Sequence, residues 1–95
     1  MIFIIDDLKY DTDKMELVSN KCKWQHEVLL HWNQYRTVYD VDAILYKSIH
    51  NRWLATYKYR GNTYAIALNE KRASNLLKQY DLKKYEQLFG ELGEA

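Results

Sequence analysis

Side chains alternate along residues 52–60 with a period of two, which is the spacing of a β-strand and not of a helix. Successive side chains of a strand point to opposite faces of its sheet, so this segment has one aromatic face and one mainly polar face. We expect the aromatic set in the core: Trp53, Ala55, Tyr57 and Tyr59. The opposite set should form a solvated face: Arg52, Leu54, Thr56, Lys58 and Arg60.

Turn signals on both sides of this strand predict a meander. Residues 49–51 (Ile-His-Asn) separate it from an earlier arm at residues 43–48. Gly61-Asn62 separates it from a third arm at residues 64–68. Three antiparallel strands are therefore expected in the middle of the chain.

Two short helices are predicted after the meander. Asn69 is a good N-cap, and Glu70 follows in the first turn, where a carboxylate meets the positive end of the helix dipole. Asp81 can cap a second helix, which Gly90 would end in a left-handed conformation. The apolar stripes are Ala73, Leu76, Leu77 and Tyr80 in the first helix and Tyr85, Leu88 and Phe89 in the second. The predicted fold class is α+β, a small antiparallel β-sheet with C-terminal helices packed on one face.

The start of the chain predicts a smaller hairpin. Ile2–Ile5 is a β-branched run that can pair with residues 8–10 across the turn-prone Asp6-Asp7. Asp13, followed three residues later by Glu16, resembles a capping box. We expect one helical turn there, near Met15.

Residues 24–35 fit two kinds of structure. Trp24, Val28, Trp32 and Tyr35 are spaced four, four and three apart, as in a helical stripe. Trp, His, Val and Tyr are also common in strands. We interpret this segment as helical or irregular.

Length and composition limit the class of protein. At 95 residues, without proline or a linker-like tract, the chain has room for one domain, residues 1–95. Cys22 is the only cysteine, whereas secreted domains of this size usually carry several disulfides. The apolar start ends at Asp6, which is too early for a signal peptide or for a membrane span of roughly 20 residues. We therefore expect a cytoplasmic protein that does not bind membranes.

The sequence carries no complete catalytic or metal-binding motif. Cys22, His26 and His31 are the nearest to a cluster, but the histidines are five apart and a structural zinc needs four ligands. Cys22 and His26 could pair as nucleophile and base on a helix, with Lys21 and Lys23 lowering the pKa of the thiol. No motif supplies an orienting group or an oxyanion hole. We predict no enzyme activity, no metal and no cofactor.

Asp6, Asp7, Asp11 and Asp13 form an acidic run that lacks the central glycine and terminal glutamate of a calcium loop. Its ordinary interpretation is a solvated acidic edge. The alternative is a patch within residues 6–16 that imitates the phosphates of a nucleic acid.

Five short motifs occur in a fixed order along the chain. They are Lys-Tyr-Asp-Thr-Asp at residues 9–13, Leu-Tyr-Lys at 45–47, Arg-Trp-Leu at 52–54, Leu-Asn-Glu-Lys-Arg-Ala at 68–73 and Tyr-Glu-Gln-Leu-Phe-Gly at 85–90. In this order they resemble a family of small accessory proteins from Firmicutes phages, plasmids and integrative elements. Residues 20–41 depart from the family pattern, and residues 57–61 replace its Gly-rich loop. The resemblance implies a non-enzymatic accessory protein, in a class that includes anti-CRISPR proteins.

The candidate partner-binding residues lie on the hairpin over residues 47–60 and next to it. Lys47, Arg52, Lys58 and Arg60, with Tyr46 beside them, combine cations with aromatic rings. We predict a phage or mobile-element protein that binds and sterically inhibits a host protein or ribonucleoprotein complex, as an anti-CRISPR acting on a Cas effector. The alternative is a small nucleic-acid-binding protein, in which these cations hold phosphates and the rings stack on bases.

Overall fold

The computed structural model describes residues 1–29 and 36–95. Within them lie two antiparallel sheets and two helices, which confirms the α+β class. The strands are β1 (Ile2–Ile5), β2 (Leu8–Asp11), β3 (Glu16–Leu29), β4 (Arg36–Lys47), β5 (Trp53–Tyr59) and β6 (Asn62–Leu68), and the helices are α1 (Glu70–Tyr80) and α2 (Leu82–Phe89). The first sheet pairs β1 with β2, and the second has the order β3-β4-β5-β6.

The predicted meander is present and is extended by one more strand. In β4 and β5, Leu45 lies opposite Ala55, and the turn between them is closed by a 2.8 Å hydrogen bond from the Ser48 N–H to the Arg52 carbonyl. The β5–β6 turn is centred one residue earlier than expected, on Arg60 and Gly61, which both have positive φ. The sheet is thus a four-stranded antiparallel meander.

The interpretation of residues 24–35 as helical or irregular is wrong for residues 24–29. They form the second half of β3 and pair with β4, with Trp24 opposite Val41 and His26 opposite Tyr39. Residues 30–35 of that segment lie outside the described residues. The spacing of four residues that resembles a helical stripe also fits a strand, and in the structure the segment pairs with β4.

The two helices cover one face of the four-stranded sheet, here called the helix face, as predicted. The Asn69 side chain accepts a 2.8 Å hydrogen bond from the Arg72 N–H and so caps α1, while Gly90 ends α2 with a φ of 97°. Asp81 caps α2 and also accepts a 2.7 Å hydrogen bond from the Ser19 hydroxyl of β3. The core on this face contains Trp53, which is 4% exposed, together with Val18, Cys22, Ala43, Leu45, Ala55, Tyr57, Leu68, Ala73 and Leu77.

The opposite face of the sheet is not solvated along its whole length, in contrast to the sequence prediction. The β1–β2 hairpin lies across it, so this is called the hairpin face. Leu54 is fully buried and Thr56 is 7% exposed, although Arg52, Lys58 and Arg60 are exposed as expected. A cavity between the layers is lined by hairpin residues, among them Phe3, and by residues of the hairpin face.

The hairpin itself forms about the predicted turn. Asp6 and Asp7 both have positive φ, which is the geometry of a tight two-residue turn. The following helical turn is a single 3-10 turn at Thr12–Lys14, and Asp11, not Asp13, caps it by accepting a 3.1 Å hydrogen bond from the Asp13 N–H. Neither this turn nor any other helix in residues 1–29 and 36–95 is long and apolar enough to span a membrane.

Candidate recognition surface

β3 and β4 extend beyond the rest of the sheet. Pairing between β4 and β5 ends where Ala43 lies opposite Tyr57, whereas β3 and β4 stay paired as far as Leu29 and Arg36. Residues 23–29 and 36–42 therefore form a two-stranded arm, here called the distal ribbon. Its helix-face side carries aromatic side chains from both strands.

Five rings meet where the distal ribbon joins β5 and β6, and we call them the aromatic surface: His26, Tyr39, Tyr57, Tyr59 and Tyr64. His26 is central, with its ring centroid 4.1 Å from that of Tyr59 and 5.0 Å from that of Tyr64. Tyr57 stacks on Tyr64 at 5.1 Å, and Tyr39 lies 5.6 Å from Tyr59. Tyr39 is 42% exposed, and His26, Tyr59 and Tyr64 are half-buried. The cluster thus presents ring surface to solvent at the end of the sheet.

A side-chain hydrogen bond fixes the orientation of the rings. The His26 Nδ1 and the Tyr57 hydroxyl are 2.9 Å apart. Burial raises the pKa of the Tyr57 phenol, and the neighbouring Tyr64 adds to this rise. The Tyr57 hydroxyl is protonated at neutral pH, and whether it donates to or accepts from Nδ1 depends on the tautomer of His26.

A groove of about 660 Å³ continues the aromatic surface between α1 and the outer strand β3. The Arg72 guanidinium lies 5.0 Å from the Trp24 ring centroid on its floor. Lys23 at its rim donates a 2.9 Å hydrogen bond to Asp42, which raises the pKa of the lysine. Leu76 and Tyr80 of α1 form part of the opposite wall. The groove therefore combines aromatic rings with two cations.

The candidate residues of the 47–60 hairpin and the adjacent Tyr46 do not form one patch. Tyr46 and Lys58 belong to the hairpin face, whereas Lys47 lies opposite Trp53 and holds its ammonium 5.4 Å from that ring centroid. Arg52 precedes β5, and six residues of strand separate it from Lys58 by about 20 Å. Arg60, in the turn after β5, extends its guanidinium to within 5.4 Å of the Tyr59 ring centroid. It is the one of the five that borders the aromatic surface.

The residues considered for catalysis are not assembled into a site. Cys22 and His26 lie on one strand, about 13 Å apart along its axis. Burial raises the pKa of the Cys22 thiol, so the prediction that Lys21 and Lys23 lower it is wrong. His31 lies outside the described residues. Within residues 1–29 and 36–95, no three His, Cys, Asp or Glu side chains are grouped to hold a metal ion.

The acidic residues of the 6–16 segment are also dispersed. Asp6 and Asp7 form the tip of the β1–β2 hairpin. Asp11 caps the 3-10 turn, and the exposed Asp13 follows inside that turn. Their arrangement follows the path of the hairpin.

The candidate residues predicted from sequence include none of the aromatic surface: Tyr57 and Tyr59 are assigned to the core, and His26, Tyr39 and Tyr64 are given no role in recognition. Tyr64 pairs with Tyr57 across the Arg60-Gly61 turn, whereas the turn predicted at Gly61-Asn62 would have paired Tyr57 with Ile66. His26 and Tyr39 depend on the pairing of β3 with β4, which no turn motif in the sequence announces.

Comparison with protein-family models, with curated proteins and with solved structures finds no match to this chain.

Proposed function

We propose that this protein binds a host protein or ribonucleoprotein complex and inhibits it by covering a working surface, as an anti-CRISPR protein acting on a Cas effector. The observation that carries the proposal is the aromatic surface, with its rings oriented by a hydrogen bond and its edge open to solvent. Tyrosine rings supply large contact areas while losing little side-chain entropy on binding, and they are enriched at interface hot spots.

The surroundings of these rings support a protein partner. The groove beside them is open, and its Arg72 guanidinium sits over the Trp24 ring, an arrangement typical of interface anchors. Arg60 adds a further cation at the edge of the cluster. The inhibitory role rests on the resemblance of the sequence motifs to accessory proteins of mobile elements. Inhibition by occlusion asks for no reacting group, only a rigid face and a complementary target.

The proposal is tested with a purified Cas effector bound to its guide RNA. We expect co-elution with the protein and loss of target-DNA cleavage. Tyr39→Ala should weaken binding by about 30-fold, the effect of removing a hot-spot side chain worth about 2 kcal/mol. Ile49→Ala is the matched control, since Ile49 is an exposed apolar residue in the distant β4–β5 turn. The proposal is refuted if the protein does not co-elute with any effector type and does not reduce the cleavage activity of any of them.

The hairpin cations offer a second set of variants. Arg52→Glu with Lys58→Glu reverses two exposed charges away from the aromatic surface. If these variants lose binding while Tyr39→Ala keeps it, the partner docks on the hairpin face. Asp7→Asn with Asp11→Asn tests the acidic segment in the same assay.

Nucleic-acid binding is a second candidate, favoured by the two arginines that lie over rings, Arg60 over Tyr59 and Arg72 over Trp24. Aromatic and guanidinium planes together are typical of single-strand binding. A labelled single-stranded oligonucleotide decides between the candidates. Micromolar affinity that falls by roughly one log unit per log unit of salt for each phosphate contacted would favour nucleic acid. We expect no such binding.

A further inference from the structure

The outer edge of β3 is available for pairing with another strand. Within the described residues β3 pairs only with β4, so it is an edge strand of the four-stranded sheet. Register shifts between Leu17 and Cys22 interrupt the first half of this edge. From Cys22 to Leu29 the register is continuous. An uninterrupted strand edge presents a row of backbone donors and acceptors to any strand of matching sequence.

The side chains of this segment are complementary to those of a second, antiparallel copy of the same segment. If two copies of β3 pair about a two-fold axis at Gln25, Lys23 lies opposite Glu27 and Trp24 lies opposite His26. Each relation occurs twice because of the symmetry. Opposite charges and aromatic pairs directly across two strands are the stabilising kinds of cross-strand pair, and like charges are destabilising.

The side chains are also distributed correctly between the two faces. Lys23, Gln25 and Glu27 are exposed, so the ion pairs between Lys23 of one copy and Glu27 of the other would stay in contact with solvent. Trp24 and His26 point to the helix face and line the groove beside α1. In an antiparallel pair, residues directly opposite each other point to the same face. Both helix faces would then lie on one side of the joined sheet.

We propose that two copies of this chain pair through residues 22–28 of β3, antiparallel and centred on Gln25, to form one continuous eight-stranded sheet. The occupant of the edge is a second copy because the charges of the segment are complementary to themselves. The pairing is isologous, so it closes at two chains. It places two aromatic surfaces on the same side of the dimer. The proposal does not rest on the proposed function.

Charge reversal tests the pairing. Lys23→Glu sets carboxylates against each other across the axis at both ion pairs, and Glu27→Lys does the same with ammonium groups. We expect sedimentation velocity at low salt to show a concentration-dependent dimer for the wild type and dissociation constants raised by about tenfold or more for each variant. An equimolar mixture of the two variants should dimerise again, since introduced carboxylates then face introduced ammonium groups. The double variant should also dimerise.

Two further variants separate pairing from folding. Asp42→Asn removes the intrachain partner of Lys23 while keeping the charge on Lys23, so dimerisation should persist. Gln25→Lys faces Asp40 within the chain, which favours the fold, and places two like charges on the two-fold axis, which should prevent pairing. Circular dichroism verifies that each variant is folded. A wild type that stays monomeric at millimolar concentration, or a Gln25→Lys variant that dimerises as well as wild type, overturns the proposal.

Discussion

Cys22 shows how strand geometry decides the chemistry of a residue. Its neighbours in sequence, Lys21 and Lys23, are exposed, while the thiol points to the opposite side, into the core. The groups that the thiol meets are the Ser19 hydroxyl and the Asp81 carboxylate. Burial is the largest cause of its raised pKa and Asp81 adds to it, while the Ser19 hydrogen bond opposes them. Proximity in sequence to two lysines predicted a lowered thiol pKa, whereas the alternation of the strand buries the thiol and raises its pKa.

We therefore predict that the free energy of unfolding decreases as pH rises above neutral, and that ionisation of Cys22 causes part of this decrease. The pKa of the thiol is higher in the folded than in the unfolded chain, so its contribution is present below the ordinary thiol pKa of about 8.5 and is lost as pH rises through the folded value. Urea unfolding of wild type and Cys22→Ala should show a difference in unfolding free energy that narrows from about pH 7 to about pH 9.5. A constant difference would contradict the prediction.

At the scale of the element, β3 explains where prediction from sequence stops. Trp24 and Val28 are four residues apart, and four is both close to one helical turn and a multiple of the strand period. The spacing therefore cannot distinguish the two structures. The β5 segment could be predicted because its alternation at two residues excludes a helix. The pairing with β4 makes β3 a strand, and much of this pairing joins residues that are far apart in sequence, such as Glu16 and Lys47.

The β1–β2 hairpin gives a second lesson at this scale. Its strands and its turn could be predicted from Ile2–Ile5 and Asp6-Asp7, but its position could not, because a hairpin with apolar side chains can cover any open sheet face. Leu54 and Thr56, assigned to a solvated face by alternation alone, are buried because the hairpin lies over them. Sheet alternation predicts which residues share a face, and not whether that face is covered.

The hairpin should contribute a large share of the stability. Tyr10 of β2 is buried, and truncating a buried aromatic side chain commonly costs about 3 kcal/mol or more. We predict that Tyr10→Ala lowers the free energy of unfolding in urea by about that amount. Lys9→Ala is the matched control, since Lys9 is the exposed preceding residue and should change stability by less than about 0.5 kcal/mol. Equal stability of both variants would mean that the hairpin is only loosely attached.

For the molecule as a whole, the distal ribbon determines the shape. The Cα radius of gyration is 14.9 Å, and the principal extents are 47, 37 and 21 Å. A compact domain of 95 residues would have a radius of gyration of about 12 Å. The excess agrees with a two-stranded arm that extends past β5 and β6.

Small-angle X-ray scattering should detect this shape in solution. We predict a radius of gyration nearer 15 than 12 Å for the monomer, after extrapolation to zero concentration. The Lys23→Glu variant is the preferred sample, because its like charges disfavour pairing of β3 edges. A value of about 12 Å would mean that the distal ribbon folds back on the sheet.

The end of the buried core at Cys22 and Ala43 also has an evolutionary consequence. Beyond this pair the ribbon carries half-buried and exposed side chains on the helix face, such as Trp24 and Tyr39. Exposed substitutions usually change stability by less than about 0.5 kcal/mol, so sequence drift in the outer part of the arm is cheap for the fold. A strand pair can also lengthen by two residues on each side without changing which side chains share a face. The arm can therefore change in sequence and length while the rest of the sheet stays the same, a separation of novelty from robustness.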